Sequence, residues 1–445
     1  MWERLRSIWT VPDLRNKILF TLGMLLLYRI LANITVPLSS AEQQQLATLF
    51  AQNKGQNIGQ LLGLLDVFSG GSLQHFSIAA LGVYPYITAT IVMQLLQPII
   101  PALQNLATQG EAGRLRFSQI TRFITVPLAF LQALGQAALF QRSQVLTNFS
   151  LIDPKYALES FSILITLTAG TMILVWFGEL ITEKGIGNGI SLIIFGGIVS
   201  QLPSYINQGY TASTTSGGGG AGVVSIVVLL AIGLVTIVGI VYIYLGQRRV
   251  PVQYPTKRMV GRGMLVGSAQ TTYIPMQVNS AGMIPLIFAQ SMLIFPTILS
   301  QYLSASSAPV LKDVANWVGT YVVNQALWWY WLIFFLLVVA FTYFYAYVMW
   351  QQQNIPENLQ KQGAFIPGYR PGPPTSKYLS SILNRITLAG ALFLGIVAVL
   401  PFVARVGGNQ LLGSAALLIA VGVVLDTVRQ LEAQMVMRNY SGFLS

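Results

Sequence analysis

The sequence predicts an all-α membrane protein with ten transmembrane helices, and three observations predict it. The 445 residues are 54% hydrophobic and 9% charged, against roughly 25% charged in a soluble globular chain. Ten apolar stretches approach the ~20 residues that a helix needs to cross a bilayer. The basic residues, finally, fall overwhelmingly into alternate connections between those stretches.

In chain order the expected spans run Lys17–Pro37, Ala80–Pro101, Thr121–Gln141, Leu158–Ile181, Gly189–Ile206, Val223–Gly246, Val278–Tyr302, Trp328–Trp350, Ile386–Ala404 and Leu411–Leu431. Arg4 and Arg6 precede the first. No small-residue cleavage site follows it, so it reads as a retained span rather than a secretory signal. Gly or Pro interrupts several spans. Such backbone survives at membrane depth only where neighbouring helices or a water-filled cavity satisfy the freed polar groups.

Charge sets the orientation. Of the 25 Lys and Arg residues, nineteen lie on the side of the N-terminus. Five lie on the other: Lys54, Arg142, Lys155, Lys312 and Arg405. Arg29 sits inside the first span, where a charge is costly unless it snorkels or pairs. Both termini are therefore expected in the cytoplasm.

Two cytoplasmic connections carry most of the net charge of +12. Gln247–Gln277 has five basic residues and no acid; Gln351–Arg385 has four basic residues and Glu357. Both are longer than the ~2–8 residues that join neighbouring helices. Topology plus attraction to anionic lipid is the plainer reading of the charge, whereas the length points to docking of an acidic or polyanionic partner. On the opposite side, Pro203–Gly222 is uncharged and contains Gly217, Gly218, Gly219 and Gly220, the composition of a flexible linker. It divides the spans five and five, an odd number per half, as inverted repeats require. The expected halves are residues 1–210 and 223–445.

Several classes of chemistry are excluded. There is no cysteine and one histidine, His75, so thiolate and multi-histidine metal sites are ruled out. No phosphate-cradling P-loop occurs, so nucleotide energy would have to come from another subunit. No nucleophile–base–orienter set can be assembled. The chain is expected to be no enzyme and to need no cofactor.

Three stretches carry the functional signal. Phe68-Ser69-Gly70-Gly71-Ser72-Leu73-Gln74-His75-Phe76-Ser77 is too short to span and too apolar for a free loop; a re-entrant piece buried against helices fits both facts. In Leu81-Gly82-Val83-Tyr84-Pro85-Tyr86-Ile87, Val83 and Ile87 share a helix face. In Gly178-Glu179-Leu180-Ile181-Thr182-Glu183-Lys184-Gly185-Ile186-Gly187-Asn188-Gly189-Ile190-Ser191, one helix ends, a glycine-rich turn follows and a new helix starts near Asn188; Ile190 and Ile194 share its face. By pattern alone, these aliphatic pairs read as lipid-facing or core residues.

The last two stretches, in this order, closely resemble the signature regions of the SecY family, the pore subunit of the bacterial Sec translocon. Gly113-Arg114 with Ser118-Gln119-Ile120-Thr121-Arg122 resembles the start of the family's third span, and Asn279-Ser280-Ala281-Gly282-Met283-Ile284-Pro285 its seventh. Gly363-Ala364-Phe365-Ile366-Pro367-Gly368-Tyr369-Arg370-Pro371-Gly372 resembles the tip of its last large cytoplasmic loop. The resemblance covers most of the chain, and the tetraglycine points to the cyanobacterial or plastid branch.

The resemblance implies an hourglass pore between two five-helix halves, closed by an aliphatic ring of Val83, Ile87, Ile190, Ile194, Ile287 and Ile419. A narrow apolar constriction resists wetting and so blocks ions. The family has Ile at the position of Val83. The resemblance also implies a short plug helix at about Asp66–Phe76, with Asp66, Phe68, Ser69, Gly70, Gly71, Leu73, His75 and Phe76. His75 there reads as structural or exposed, against the sharper alternative of a titrating gate. A lateral gate, where hydrophobic segments reach lipid, would lie near Gln94, Asn188 and Ser191, which otherwise read as ordinary packing polarity. Lys257, Arg258, Arg262 and Arg370 would receive a ribosome or a SecA-type motor ATPase. Further implied partners are two single-span subunits, SecE-like and SecG-like, and secretory or membrane-protein substrates. The implied location is the bacterial inner membrane, or the thylakoid. The family's tail is often longer and basic; this chain ends soon after Tyr440, so no role is expected for it.

Two rivals stand beside this reading. A secondary transporter with broken helices usually needs an ionisable residue at mid-membrane, whereas Glu179, Glu183 and Asp426 lie near span ends. A structural scaffold would tolerate a bulky charge at Ile194.

Overall fold

The computed structural model describes residues 12–36, 42, 44–46, 48, 66, 69–142, 145–146, 149, 153–215, 219–260, 264–279, 282, 284–304, 309–322, 324, 327–406 and 414–441. Helices dominate. They are α1 (Pro12–Asn33), α2 (Tyr84–Leu96), α3 (Pro101–Thr108), α4 (Gly110–Arg142), α5 (Pro154–Lys184), α6 (Gly189–Thr215) and α7 (Gly219–Leu245). After a two-stranded ribbon of β1 (Gln247–Val260) and β2 (Met264–Gln277) come α8 (Ile284–Ser304) and α9 (Pro309–Trp317), the latter running into a π-turn at Val318–Val322. The chain continues through α10 (Trp328–Gln353), α11 (Ile355–Lys361), α12 (Pro373–Val406) and α13 (Ser414–Ser441).

Each expected span overlaps one of these helices. Among the described residues, four segments are long and apolar enough to cross a bilayer: Leu115–Gln141, Pro154–Lys184, Trp328–Lys361 and Pro373–Leu400. The expected span Ala80–Pro101 differs most. Its helix starts only at Tyr84, with Pro85 in the first turn, and has 13 residues. At 1.5 Å per residue that is ~20 Å, short of the ~30 Å hydrocarbon core.

The long basic connection at 247–277, expected as a loop, is an antiparallel hairpin. Its register runs from Gln247↔Gln277 to Val260↔Met264. Fourteen residues per strand reach about 45 Å. A two-stranded ribbon has edges on both strands, which tolerates Pro251, Pro255 and Pro275.

The chain divides into two compact units. One comprises Met1–Val227, Leu293–Tyr330 and Ile419–Ser445; the other comprises Val228–Met292 and Trp331–Leu418. In the first unit α4 packs on α2, α3 and α5, while α1 and α6 both lie against α5 and each other. The second unit contains an apolar core in which Val250, Val252 and Met276 of the hairpin pack with Leu359, Ala364, Ile366, Leu379, Ile382 and Leu383.

Candidate functional site

The segment that leads into α2 is folded tightly into the first unit. Helical geometry occurs at Asp66 and Ser69, and Gly70–Phe76 is a succession of turns, where the sequence suggested one short helix. Gly70 and Gly71 adopt φ of +66° and +85°, a left-handed geometry that glycine takes without steric cost and that ends a right-handed helix. Phe68 lies outside the described residues. Ser69, Ser72, Leu73 and Phe76 are buried; His75 is exposed.

Both ends of the segment are fastened. At its start, Asp66 is buried and its carboxylate oxygens accept from the Gln74 amide (3.2 Å), Gln74 Nε2 (2.6 Å) and Gln201 Nε2 of α6 (3.0 Å). The Tyr28 hydroxyl of α1 donates to the Ser69 carbonyl at 3.1 Å, and the Arg29 guanidinium donates to the Gly70 carbonyl at 2.9 Å. This is the partner the sequence left open for Arg29. At its far end the backbone pairs with the chain leaving α1: Val36 N–H donates to the Phe76 carbonyl and Ile78 N–H to the Ile34 carbonyl, both at 3.0 Å. Phe76 holds φ +43°, a strained value for a bulky residue. Its ring is fully buried edge-on to Phe140 of α4, centroids 5.1 Å apart, and that packing offsets the strain. Leu73, Phe76, Ala80 and Leu81 share a core with Ala133, Ala137 and Phe140 of α4 and Ile163, Leu164 and Leu167 of α5.

Val83 immediately precedes α2 at the end of this segment, and Ile87 lies one turn on. Val83, Ile194 and Ile419 are 1%, 3% and 1% exposed in the first unit, and Ile287 is 5% exposed in the second. Outward-facing side chains such as Phe123 at 78% show the contrast. Ile87 and Ile190 are half-buried. Two glycines determine where Ile190 lies. A Cβ on Gly178 of α5 would come within 2.6 Å of Ile190 Cγ1, and Gly189 abuts the Gly178 carbonyl. The end of α5 and the start of α6 thus touch backbone to backbone, with Ile190 resting on the bare face of Gly178.

Asn188 has a definite local task. Its Oδ1 accepts the Ser191 N–H at 3.2 Å, capping α6 and satisfying one of the amides that every helix start leaves open. Gln94 of α2 is half-buried, and its Oε1 has no hydrogen-bond partner among the described residues. Nearby along the α2–α4 seam, Gln132 Nε2 donates to Thr88 Oγ1 at a stretched 3.4 Å. Arg122 of α4 and Glu179 of α5 form an ion pair at 2.8 Å, so this acid is neutralised in place.

In the second unit, the two long basic connections are stitched together. Gln253 in β1 and Phe365 exchange backbone hydrogen bonds of 2.9 and 3.0 Å. Below them lies the shared apolar core. Arg370 is exposed at the tip; its carbonyl accepts the Thr375 hydroxyl at 2.7 Å, and the neighbouring Tyr369 ring stacks on Tyr378 with centroids 4.0 Å apart. Lys257 and Arg258 fall in β1, and Arg262 lies outside the described residues.

Sequence reasoning missed Tyr28, Gln74 and Gln201. The only available signal was polarity inside or beside apolar runs, which does not say what the group touches.

Comparison with known proteins is consistent across its forms. The family model described as SecY matches residues 77–428. The chain is 41% identical to protein translocase subunit SecY of Mycobacterium tuberculosis across 98% of each chain. It is 40% identical to the same subunit of Corynebacterium glutamicum across 97% of each. Among solved structures it resembles a protein-conducting channel (TM-score 0.58, 19% identity) and Sec61 of the canine ribosome–channel complex (TM-score 0.55, 20% identity). Each likeness covers 94% of this chain and 92% of the other.

Proposed function

The chain belongs to the SecY family, and from that premise we propose that it is the channel-forming subunit of a protein translocase, passing unfolded polypeptides across a membrane and releasing hydrophobic segments sideways into lipid. It is a multi-pass membrane protein and not an enzyme. Its helices divide into two five-span halves, 1–210 and 223–445, around the pore. Val83, Ile87, Ile190, Ile194, Ile287 and Ile419 form the constriction. The segment Asp66–Phe76 plugs it, and Gln94 and Ser191 border the lateral exit. Asn188 contributes there by fixing the start of α6.

One observation supports this reading: α2, at 13 residues, is too short to cross the hydrocarbon, and the turned segment before it is held by polar contacts at Asp66, Ser69 and Gly70 beside the apolar core around Phe76. A dry barrier built of short aliphatic side chains deforms around any passing sequence, whereas a dedicated solute site would need fixed polar ligands. Both termini and the stitched loops face the cytoplasm, by the distribution of basic residues. Arg370, Lys257, Arg258 and Arg262 meet a ribosome or a motor ATPase there, and two single-span subunits complete the complex in the bacterial inner membrane.

Site-specific crosslinking of a stalled secretory chain tests the proposal. Photoreactive residues at Ile87, Ile194 and Ile287 are expected to capture the chain in mid-transit. A translocating complex that gives no adduct at any of the three would overturn the pore assignment.

A further inference from the structure

We infer that Arg29, supported by Tyr28 and Gln201, is a latch that holds the re-entrant segment closed and so sets how strong a signal must be to open the channel. The inference rests on the pore reading above and assigns positioning roles that the ring and plug do not contain.

The argument begins with where the charge is. Arg29 sits on α1 within a run of apolar residues, half-buried in the fold. A guanidinium at that depth is expensive unless its protons are accepted. The acceptor is no carboxylate but the Gly70 carbonyl at 2.9 Å, an atom of the segment that must move. Tyr28, next in sequence, donates to the adjacent carbonyl of Ser69. From the other side, Gln201 of α6 holds Asp66 through its carboxylate at 3.0 Å and its carbonyl at 3.3 Å.

Between these contacts the seat has no spare room. A Cβ on Gly197 of α6 would lie 2.8 Å from the Gly70 Cα, and one on Gly70 would lie 2.6 Å from the Gly197 Cα. The segment therefore fits one position, gripped by α1 and α6 together.

A latch of this composition is conditional on water. While the segment is seated, withdrawing the Gly70 carbonyl strips the half-buried guanidinium of its acceptor, and a charge at that depth without one is costly. Once the site floods, water takes over the same protons and the grip is lost. An apolar contact would lack that dependence. Hydrogen bonds to charged groups shift an equilibrium by roughly ten- to a hundredfold, enough to separate strong signals from weak ones without locking the channel.

The test uses the full chain with its partner subunits in proteoliposomes. It reads halide leak without substrate, and export of precursors carrying intact or weakened signals. Arg29→Met keeps the length of the side chain and removes the donors; leak and weak-signal export are expected to rise about tenfold or more. Arg29→Lys, which restores a donor, is expected to stay within about threefold of the parent. Deletion of 66–76 sets the fully open reference. If that deletion leaks while Arg29→Met stays as tight as the parent, the latch is overturned and the pore reading stands. If the deletion itself does not leak, the pore reading fails. Should Arg29→Met not accumulate, Gly197→Ala tests the same seat by wedging Gly70 outward; a tight Gly197→Ala channel overturns the latch equally.

Discussion

Truncating Ile366 to alanine should loosen both long basic connections at once. Ile366 is 2% exposed and lies among Val250, Val252, Leu359 and Leu379. Emptying a buried apolar core by Ile→Ala costs about 2–5 kcal/mol. One residue away, Phe365 shares two backbone hydrogen bonds with Gln253. If the cavity weakens that stitch, amide exchange should speed up at both positions together, by roughly thirtyfold to some thousandfold at 1.4 kcal/mol per decade. The assay is hydrogen–deuterium exchange on the purified complex, following peptides that contain Gln253 and Phe365. Faster exchange at Phe365 with Gln253 still protected would refute the reasoning, since it would show that the hairpin and the second connection are independent bodies.

Three further outcomes are expected. Gly178→Val places carbon where Ile190 Cγ1 lies 2.6 Å from an added Cβ; the forced separation of α5 and α6 should cost about 1–3 kcal/mol, read as a lower midpoint of thermal unfolding in detergent. Asn188→Ala removes the cap on α6 and should lower the same midpoint by the equivalent of about 0.5–2 kcal/mol, with Asn188→Asp largely sparing it. Arg122→Ala breaks a pair whose side chains are 40% and 27% exposed; a double-mutant cycle with Glu179→Ala should return a coupling below about 1 kcal/mol because solvent screens it.

The helices were legible because length and apolarity suffice to mark them. The hairpin was not read, although its signal was present: Val250 and Val252 alternate with outward residues, the period-2 pattern of a half-buried strand. Its charge and length are equally those of a docking loop, and only two positions carry the alternation. The aliphatic positions were visible only through the resemblance, since a pattern of four-spaced Ile is equally that of a lipid-facing helix. Arg29 could be flagged as a buried charge but not paired, because its acceptor is a main-chain carbonyl 41 residues away. Every residue has such a carbonyl, so composition cannot single one out. Gln201 escaped for the related reason that its role depends on Asp66 being folded back beside α6.

The two fastenings of the re-entrant segment differ in kind. Near Phe76 it is sewn to the chain after α1 by paired main-chain groups; near Asp66 and Gly70 it hangs on side chains that water can replace. In the plug role proposed above, such a piece would swing like a drawbridge, with its hinge at the sewn margin and its lip near Asp66. After each passage the lip would fall back along the arc it left by, and resealing would need no search through alternative positions.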